Sequence, residues 1–179
     1  MRIAIIGAGP AGLYAAYLLR RSGLQLTVEV FEQNSPDATF GFGVVFSDRA
    51  LDFLKADDEE TYESLIPHME VWQDLTIQHR GEVMPIDGVG FTAIGRLELL
   101  QLFQERAREV GIEPIYGKCL ERLELLNDFD LVIGADGVNS LVRNELRKIF
   151  EASEVYASNR FIWYGTPQPF KTLTQTFIA

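Results

Sequence analysis

The chain has 179 residues, of which 47% are hydrophobic and 23% charged, a composition typical of one globular domain, or one domain and part of a second. The formal net charge of −10 argues against nucleic acid or an anionic membrane as the main partner. A single cysteine excludes an intrachain disulfide. The sequence contains neither an apolar run of membrane-spanning length nor a signal-peptide pattern, so it predicts a cytoplasmic protein with no membrane partner.

The first 32 residues predict a strand, a helix and a second strand. Residues 2–7 form a nearly continuous apolar run, as a parallel strand covered on both faces requires. Residues 13–21 place apolar side chains on one helical face, and Gly23 is a helix stop. Residues 26–32 predict the second strand, which completes a βαβ unit.

The rest of the chain alternates short predicted helices and strands. We expect helices at 47–54 with Ser47 as N-cap, at the acidic run 57–60, at 96–110 and at 139–150. We expect a hairpin within 71–86 that turns at Arg80-Gly81, one or two short strands within 113–126, and strands at 130–134, 160–164 and 173–178. The order of elements predicts an α/β fold with a parallel sheet.

A glycine-rich loop lies between the first predicted strand and helix. It reads Gly7-x-Gly9-x-x-Gly12, where the first glycine permits a tight turn, the second admits a pyrophosphate and the third lets helix and strand pack closely. Glu32 follows at the end of the second strand, where a carboxylate accepts hydrogen bonds from the ribose hydroxyls of an adenosine and repels a 2′-phosphate. The alternative is a glycine-rich turn of an unrelated α/β protein.

A second motif is more specific. Residues 130–143 have the form DxxxGADGxxSxVR, and with the glycine-rich start the chain resembles the single-component FAD-dependent aromatic hydroxylases. The segments 37–48 and 159–166 are similar to the subgroup of salicylyl-CoA, 2-aminobenzoyl-CoA and violacein-pathway hydroxylases. The resemblance implies a Rossmann-like FAD-binding domain with a GR2-type parallel sheet. It places that domain at 1–150, with an inserted hairpin at about 68–90, and the start of a β-rich substrate domain at 151–179.

The resemblance also implies the cofactors and their ligands. FAD would be bound and NAD(P)H would supply electrons for hydroxylation of a small aromatic substrate with O₂, so no side-chain nucleophile is expected. Asp136 would lie near the FAD pyrophosphate, although it also suits a helix N-cap. The cofactor-binding residues implied are Gly7, Gly9, Pro10, Ala11, Gly12, Glu32, Gln33, Gly43, Arg96, Leu120, Asp136 and Gly137.

Three further expectations follow. His68 and His79 have no metal-ligand partner at useful spacing, so no metal site is predicted. Members of the resembled family are about twice as long, so we expect this chain to match their N-terminal portion, with a missing C-terminal half or self-association through unpaired strand edges. The alternatives are a non-catalytic FAD-binding fragment, and a flavin oxidase or NAD-dependent dehydrogenase with the same βαβ unit.

Overall fold

The computed structural model describes residues 1–160, 162, 164–168 and 170–178. The strands are β1 (Arg2–Ile6), β2 (Thr27–Phe31), β3 (Gly43–Ser47), β4 (Glu70–Trp72), β5 (Leu75–His79), β6 (Glu82–Ile86), β7 (Phe91–Gly95), β8 (Leu131–Gly134) and β9 (Leu173–Phe177). The helices are α1 (Pro10–Arg21), α2 (Asp48–Asp57), α3 (Glu59–Leu65), α4 (Arg96–Glu109) and α5 (Leu141–Glu145), with 3₁₀ turns at Ile66–His68 and Leu123–Leu126. The chain forms two compact units, residues 1–38 with 100–161 and residues 39–99 with 162–179.

The first unit contains the parallel sheet that the sequence predicts. Its strand order is β2-β1-β8, and Ile3 of β1 pairs with Val28 on one side and Leu131 on the other. Because β1 is the central strand, Ile3 and Ile5 are fully buried, as the continuous apolar run of a covered parallel strand requires. The predicted α/β fold is confirmed for this unit.

Helix α1 crosses from β1 to β2 and begins three residues earlier than the apolar pattern predicts. Pro10 is its first residue, and the fixed φ of proline suits the first helical turn, where no amide donor is needed. Leu13, Ala16 and Tyr17 form its buried face. The helix ends at Arg21, and Gly23 follows in the left-handed region at φ +76°.

The second unit holds two small sheets, with strand orders β3-β7-β4 and β6-β5-β9. The predicted hairpin is formed by β5 and β6. Its turn residues Arg80 and Gly81 have φ values of +50° and +85°, as a two-residue type I′ connection requires. β9 pairs in parallel with β5, so the last described strand joins this unit. The expected boundary near residue 150 stays a prediction.

Several local predictions were wrong. Residues 113–126 contain no strand but an isolated bridge from Ile115 to Phe31 and the 3₁₀ turn. The predicted helix 139–150 is helical only in α5, because Ile149 and Phe150 remain exposed and give a longer helix no face to bury.

Two other segments differ from the predictions only in part. Ser47 is the N-cap residue of α2, as predicted, although its side chain makes no capping hydrogen bond. Within the predicted acidic run, the carboxylate of Asp58 accepts a hydrogen bond from the amide of Thr61 and caps α3. The predicted strand at 160–164 is absent at residues 160, 162 and 164. Phe161 and Trp163 lie outside the described residues.

A buried polar cluster joins α1 to α4. The Tyr17 hydroxyl oxygen accepts hydrogen bonds from the guanidinium groups of Arg106 and Arg21, and Arg106 also pairs with Glu109. The side chain of Arg106 is only 7% exposed, so these partners stabilise a positive charge that is largely removed from water. The cluster therefore fixes α1 against α4 by hydrogen bonds as well as by apolar contact.

We expect the substitution Tyr17→Phe to destabilise the protein by about 1–3 kcal/mol, because it removes the hydroxyl oxygen that accepts hydrogen bonds from the guanidinium groups of Arg106 and Arg21. The measurement is urea unfolding of the chain without added ligand. Tyr116→Phe is the matched control, since the Tyr116 hydroxyl makes no hydrogen bond within the part of the chain that the structure describes. Equal unfolding midpoints for the two variants would contradict the role assigned to the cluster.

Candidate functional site

The turn between β1 and α1 depends on two glycines that touch other backbone segments. A Cβ on Gly7 would lie 2.4 Å from the carbonyl oxygen of Ala135, and Gly7 has a φ of +101°. A Cβ on Gly12 would lie 1.9 Å from the carbonyl oxygen of Gly7. No side chain fits at either distance, so both positions require glycine.

The middle glycine of the motif has a different environment. An ideal Cβ on Gly9 meets nothing within 4 Å, so no described atom fills the space in front of this residue. Gly9 is the N-cap residue of α1, so no side chain caps the amides of the first turn, and that turn carries no acidic residue. Pro10 is half-buried and Ala11 exposed. The open space therefore faces free amides and the positive end of a helix dipole, which attract an anionic group.

Glu32 closes the other side of the turn. Its Oε2 accepts a hydrogen bond of 2.9 Å from the amide of Ala8. Its Oε1 accepts two hydrogen bonds of 2.8 Å, one from the backbone amide and one from the side-chain Nδ2 of Asn34. The carboxylate is half-buried, so it is oriented by the protein and still reaches solvent. Asn34 is not among the residues predicted from the sequence, where its only signal is its position two residues after the acid, a common turn pattern.

The loop after β8 and the glycine turn after β1 lie at the same end of the parallel sheet, because both follow the carboxyl ends of paired strands. Asp136 Oδ2 accepts a hydrogen bond of 2.6 Å from the amide of Leu141, while its Oδ1 is buried and has no partner in the described part of the chain. Gly137 follows with a φ of +75°. Ser140 is the N-cap of α5, through a hydrogen bond from the Arg143 amide. Asp136 therefore supports the start of α5 without being its N-cap.

The segment 115–120 runs beside Glu32 and the residue after it. The Glu32 amide donates a hydrogen bond to the carbonyl of Ile115, and the Lys118 amide donates to the carbonyl of Glu32. The Cys119 thiol donates to Gln33 Oε1 at 3.8 Å. Leu120 is half-buried and packs on the core cluster beneath the sheet. These contacts place Gln33 and Leu120 on the Glu32 side of the turn.

Tyr116 of this segment has a raised pKa. Burial raises the pKa of the Tyr116 hydroxyl above its ordinary value of 10.0, the charge of Arg108 lowers it, and the carboxylates of Glu32, Glu113 and Asp37 raise it further. The phenol is therefore neutral at physiological pH and presents a hydrogen-bond donor near the carboxylate side of the turn.

Two predicted site residues belong to the second unit. Gly43 begins β3 and pairs with Gly95, and its Cβ would lie 3.2 Å from the carbonyl oxygen of Ile94. Arg96 is the first residue of α4, and its amide donates to the carbonyl of Phe42 at 3.0 Å. Gly43 and Arg96 thus lie at neighbouring ends of the strand pair β3–β7. The other predicted residues all lie in the first unit.

Both histidines, His68 and His79, lie in the second unit. His68 Nδ1 lies 2.8 Å from Glu98 Oε1, and both side chains are nearly half exposed. Within residues 1–160, 162, 164–168 and 170–178, no group of three or more metal-ligating side chains is assembled. No helix in that part of the chain has the length and apolar character needed to span a membrane.

Comparison with known proteins identifies relatives of the chain. Residues 5–37 match the model of an NAD(P)-binding Rossmann-like domain. Salicyloyl-CoA 5-hydroxylase of a Streptomyces species is 44% identical over 97% of this chain and 34% of its own length. A 3-hydroxy-4-methyl-anthranilyl-[aryl-carrier protein] 5-monooxygenase of Streptosporangium sibiricum is 28% identical over 97% of the chain. Protodeoxyviolaceinate monooxygenase of Chromobacterium violaceum is 30% identical over 99% of it.

A solved structure shows the same fold. The tetrameric form of 2-methyl-3-hydroxypyridine-5-carboxylic acid oxygenase superposes on 81% of this chain and 42% of its own, with a TM-score of 0.65 at 22% identity. The chain is thus similar to curated aromatic hydroxylases and monooxygenases, and the predicted resemblance and the Rossmann-like fold are confirmed. It spans about a third to a half of the length of the curated relatives it matches.

The environments of the motif glycines lead to a stability prediction. We expect Gly12→Ala to destabilise the protein by about 3 kcal/mol or more, because the new Cβ overlaps a backbone carbonyl that cannot move freely. Gly9→Ala is the matched control, and we expect it to change stability by less than about 1 kcal/mol, since its Cβ enters open space. Thermal and urea unfolding of the two variants measure the difference, and a reversed order would contradict the turn geometry.

Proposed function

We propose that this chain is the FAD-binding part of a flavin monooxygenase that hydroxylates an aromatic substrate with NAD(P)H and O₂. The observation that carries the proposal is the combination of an unobstructed Gly9 at the N-terminus of α1 with the carboxylate of Glu32, which accepts a hydrogen bond from Ala8, the residue before Gly9. A dinucleotide needs both features, a positive surface for its pyrophosphate and an acceptor for its ribose.

The residues of the first unit suit FAD in specific ways. The amides of the first turn of α1 would hold the pyrophosphate, and Gly9 would let the backbone approach it. Glu32 would accept a hydrogen bond from the adenosine ribose, with Gln33 and the backbone at Leu120 beside the adenine. A carboxylate at this position repels a 2′-phosphate, which supports FAD over a phosphorylated nicotinamide dinucleotide in this turn.

Asp136 adds a second point of attachment. Its buried Oδ1 has no partner in the described part of the chain, and a buried carboxylate oxygen without a donor is costly. A hydroxyl group of the bound cofactor, or a water held by its phosphates, would supply the missing donor. Gly137, exposed and in the left-handed region, leaves the backbone beside it accessible.

Gly43 and Arg96, which belong to the second unit, are the remaining cofactor-binding residues that the resemblance implies. The planar guanidinium of Arg96 suits a phosphate or ribityl contact, and Gly43 would allow the chain to pass close to the flavin ring. When bound, FAD supplies the redox chemistry, taking electrons from NAD(P)H and passing one oxygen atom of O₂ to the aromatic ring. The protein's part is to bind, orient and exclude water.

The relatives suggest the class of substrate. One is named for an aryl thioester of coenzyme A and another for an aryl thioester of a carrier protein, so both act on an aromatic ring joined through a thioester. We propose an aromatic acyl thioester, with salicylyl-CoA as the first compound to try. An ortho-hydroxyl or amino group makes such a ring electron-rich, as oxygen transfer to carbon requires.

The setting of the enzyme is part of the same proposal. A cytoplasmic location is supported by the single cysteine, Cys119, which is free and exposed. Self-association or pairing with a C-terminal half is supported by β8, which is paired only with β1 among the described strands and exposes 43% of Leu131. The division into an FAD-binding domain at 1–150 and a substrate domain from 151 belongs to this proposal too.

Two other functions remain to be separated from this one. The match to an NAD(P)-binding Rossmann-like domain favours, as second candidate, a dehydrogenase that binds a nicotinamide dinucleotide in the same turn; a flavin oxidase would share it as well. The third is a fragment that binds FAD and catalyses nothing. A purified chain that binds NAD but no flavin would support the dehydrogenase.

The cofactor assignment predicts the effect of Glu32→Ala. We expect FAD affinity to fall by about 10- to 150-fold, the value of a lost hydrogen bond to a charged acceptor, as measured by titration of flavin fluorescence. Glu29→Ala is the matched control, because Glu29 lies on β2, three residues before Glu32, and pairs with Arg2 at the surface. Unchanged FAD affinity in Glu32→Ala would remove Glu32 from the site.

The activity is tested with the purified chain, FAD, NADH and salicylyl-CoA. If the chain is catalytic, we expect NADH oxidation and oxygen uptake to rise at least severalfold when the thioester is added, while free salicylate gives a smaller effect. Mass spectrometry of the product must show one added oxygen atom. FAD binding without substrate-stimulated NADH oxidation would instead identify a non-catalytic FAD-binding part.

A further inference from the structure

The carboxylate of Glu32 has few acceptor positions left for a ligand. A carboxylate offers about four lone-pair sites, two on each oxygen. Oε1 receives both the amide and the Nδ2 of Asn34, and Oε2 receives the amide of Ala8. Three of the four sites are therefore used by the protein, and the one that remains is on Oε2.

The two protein partners of Glu32 differ in kind. The amide of Ala8 belongs to the glycine turn, whose path is fixed by the contact of Gly7 with Ala135. Asn34 instead makes a two-pronged contact, since its backbone amide and its side-chain amide converge on one oxygen at 2.8 Å. Any residue except proline at position 34 would keep the backbone hydrogen bond to Glu32. The hydrogen bond from Nδ2 requires the side chain of asparagine.

We infer that Glu32 accepts a hydrogen bond from only one ribose hydroxyl of the bound adenosine, and that Asn34 is the positioning residue that imposes this limit. The inference rests on the proposed binding of FAD in this turn. Without the Nδ2 donor, the second site on Oε1 becomes available and the carboxylate can accept both hydroxyls, one on each oxygen. Asn34 thus sets which hydroxyl groups the site recognises.

Two analogues of FAD test the inference directly, one lacking the 2′-hydroxyl and one lacking the 3′-hydroxyl of the adenosine ribose. In the wild-type chain we expect one analogue to bind about tenfold or more weakly than FAD, because it loses a hydrogen bond to a charged acceptor. The other analogue should bind within about twofold of FAD. Flavin fluorescence gives all three dissociation constants without any assay of activity.

The substitution Asn34→Ala should change this selectivity. With Nδ2 removed, we expect the previously tolerated analogue to lose about fivefold or more relative to FAD, as a second ribose hydroxyl gains an acceptor. A merely structural effect would weaken the binding of FAD and of both analogues by the same factor. The ratio of each analogue's dissociation constant to that of FAD would then stay unchanged. Asn34→Leu, which keeps the branched shape of the side chain but removes the donor without adding a charge, should shift the ratios in the same direction.

Ser35→Ala is the control, since Ser35 is the exposed neighbour in the same turn and contributes no recorded side-chain contact to Glu32. Its ratios should equal those of the wild-type chain. Equal losses for both analogues in the wild-type chain, or unchanged ratios in both Asn34 variants, would overturn the inference while leaving FAD binding intact. A wild-type chain that binds none of the three flavins would overturn the proposed function and, with it, the inference.

Discussion

The contact between backbone segments at Gly7, Gly12 and Ala135 is the constraint on which the rest of the first unit depends. Because neither glycine carries a side chain, β1, the first turn of α1 and the loop after β8 approach to backbone distance. This approach leaves the space at Gly9 open and brings Asp136 to the same edge of the sheet. The site is therefore a consequence of close packing, and the buried Tyr17–Arg106 hydrogen bond holds α1 in that position from its other end.

The N-terminus of α1 gives the site a positive local potential, although the chain as a whole is negatively charged. The net charge is −10, yet the open space at Gly9 faces the positive end of a helix that has no acidic residue in its first turn. The carboxylate of Glu32, which accepts a hydrogen bond from Ala8 in the same turn, is bound by three protein donors in all, so its charge is partly satisfied before a ligand arrives. An anionic dinucleotide thus meets a local field different from the average surface.

The sequence predicted those parts of the structure whose causes are local. The apolar run of β1, the stripe of α4 and the Arg80-Gly81 turn each contain their own signal. The errors at 113–126 and 139–150 have a tertiary cause, since Leu126 and Val142 are buried in a core cluster shared with β1 and β2 that no local pattern describes. Likewise the motif indicated Glu32 but not Asn34, because a side-chain hydrogen bond across a strand end has no periodicity. The roles of the predicted cofactor ligands stay predictions.

The exposure of Cys119 has a practical consequence for following ligand occupancy. It is the single cysteine of the chain, it is exposed, and its thiol lies against Gln33, next to the carboxylate that orients the turn. A maleimide dye attached there would label the wild-type protein at one defined point without any engineered residue. The dye would sit at the adenosine end of the proposed site, where its emission would report directly on an arriving nucleotide.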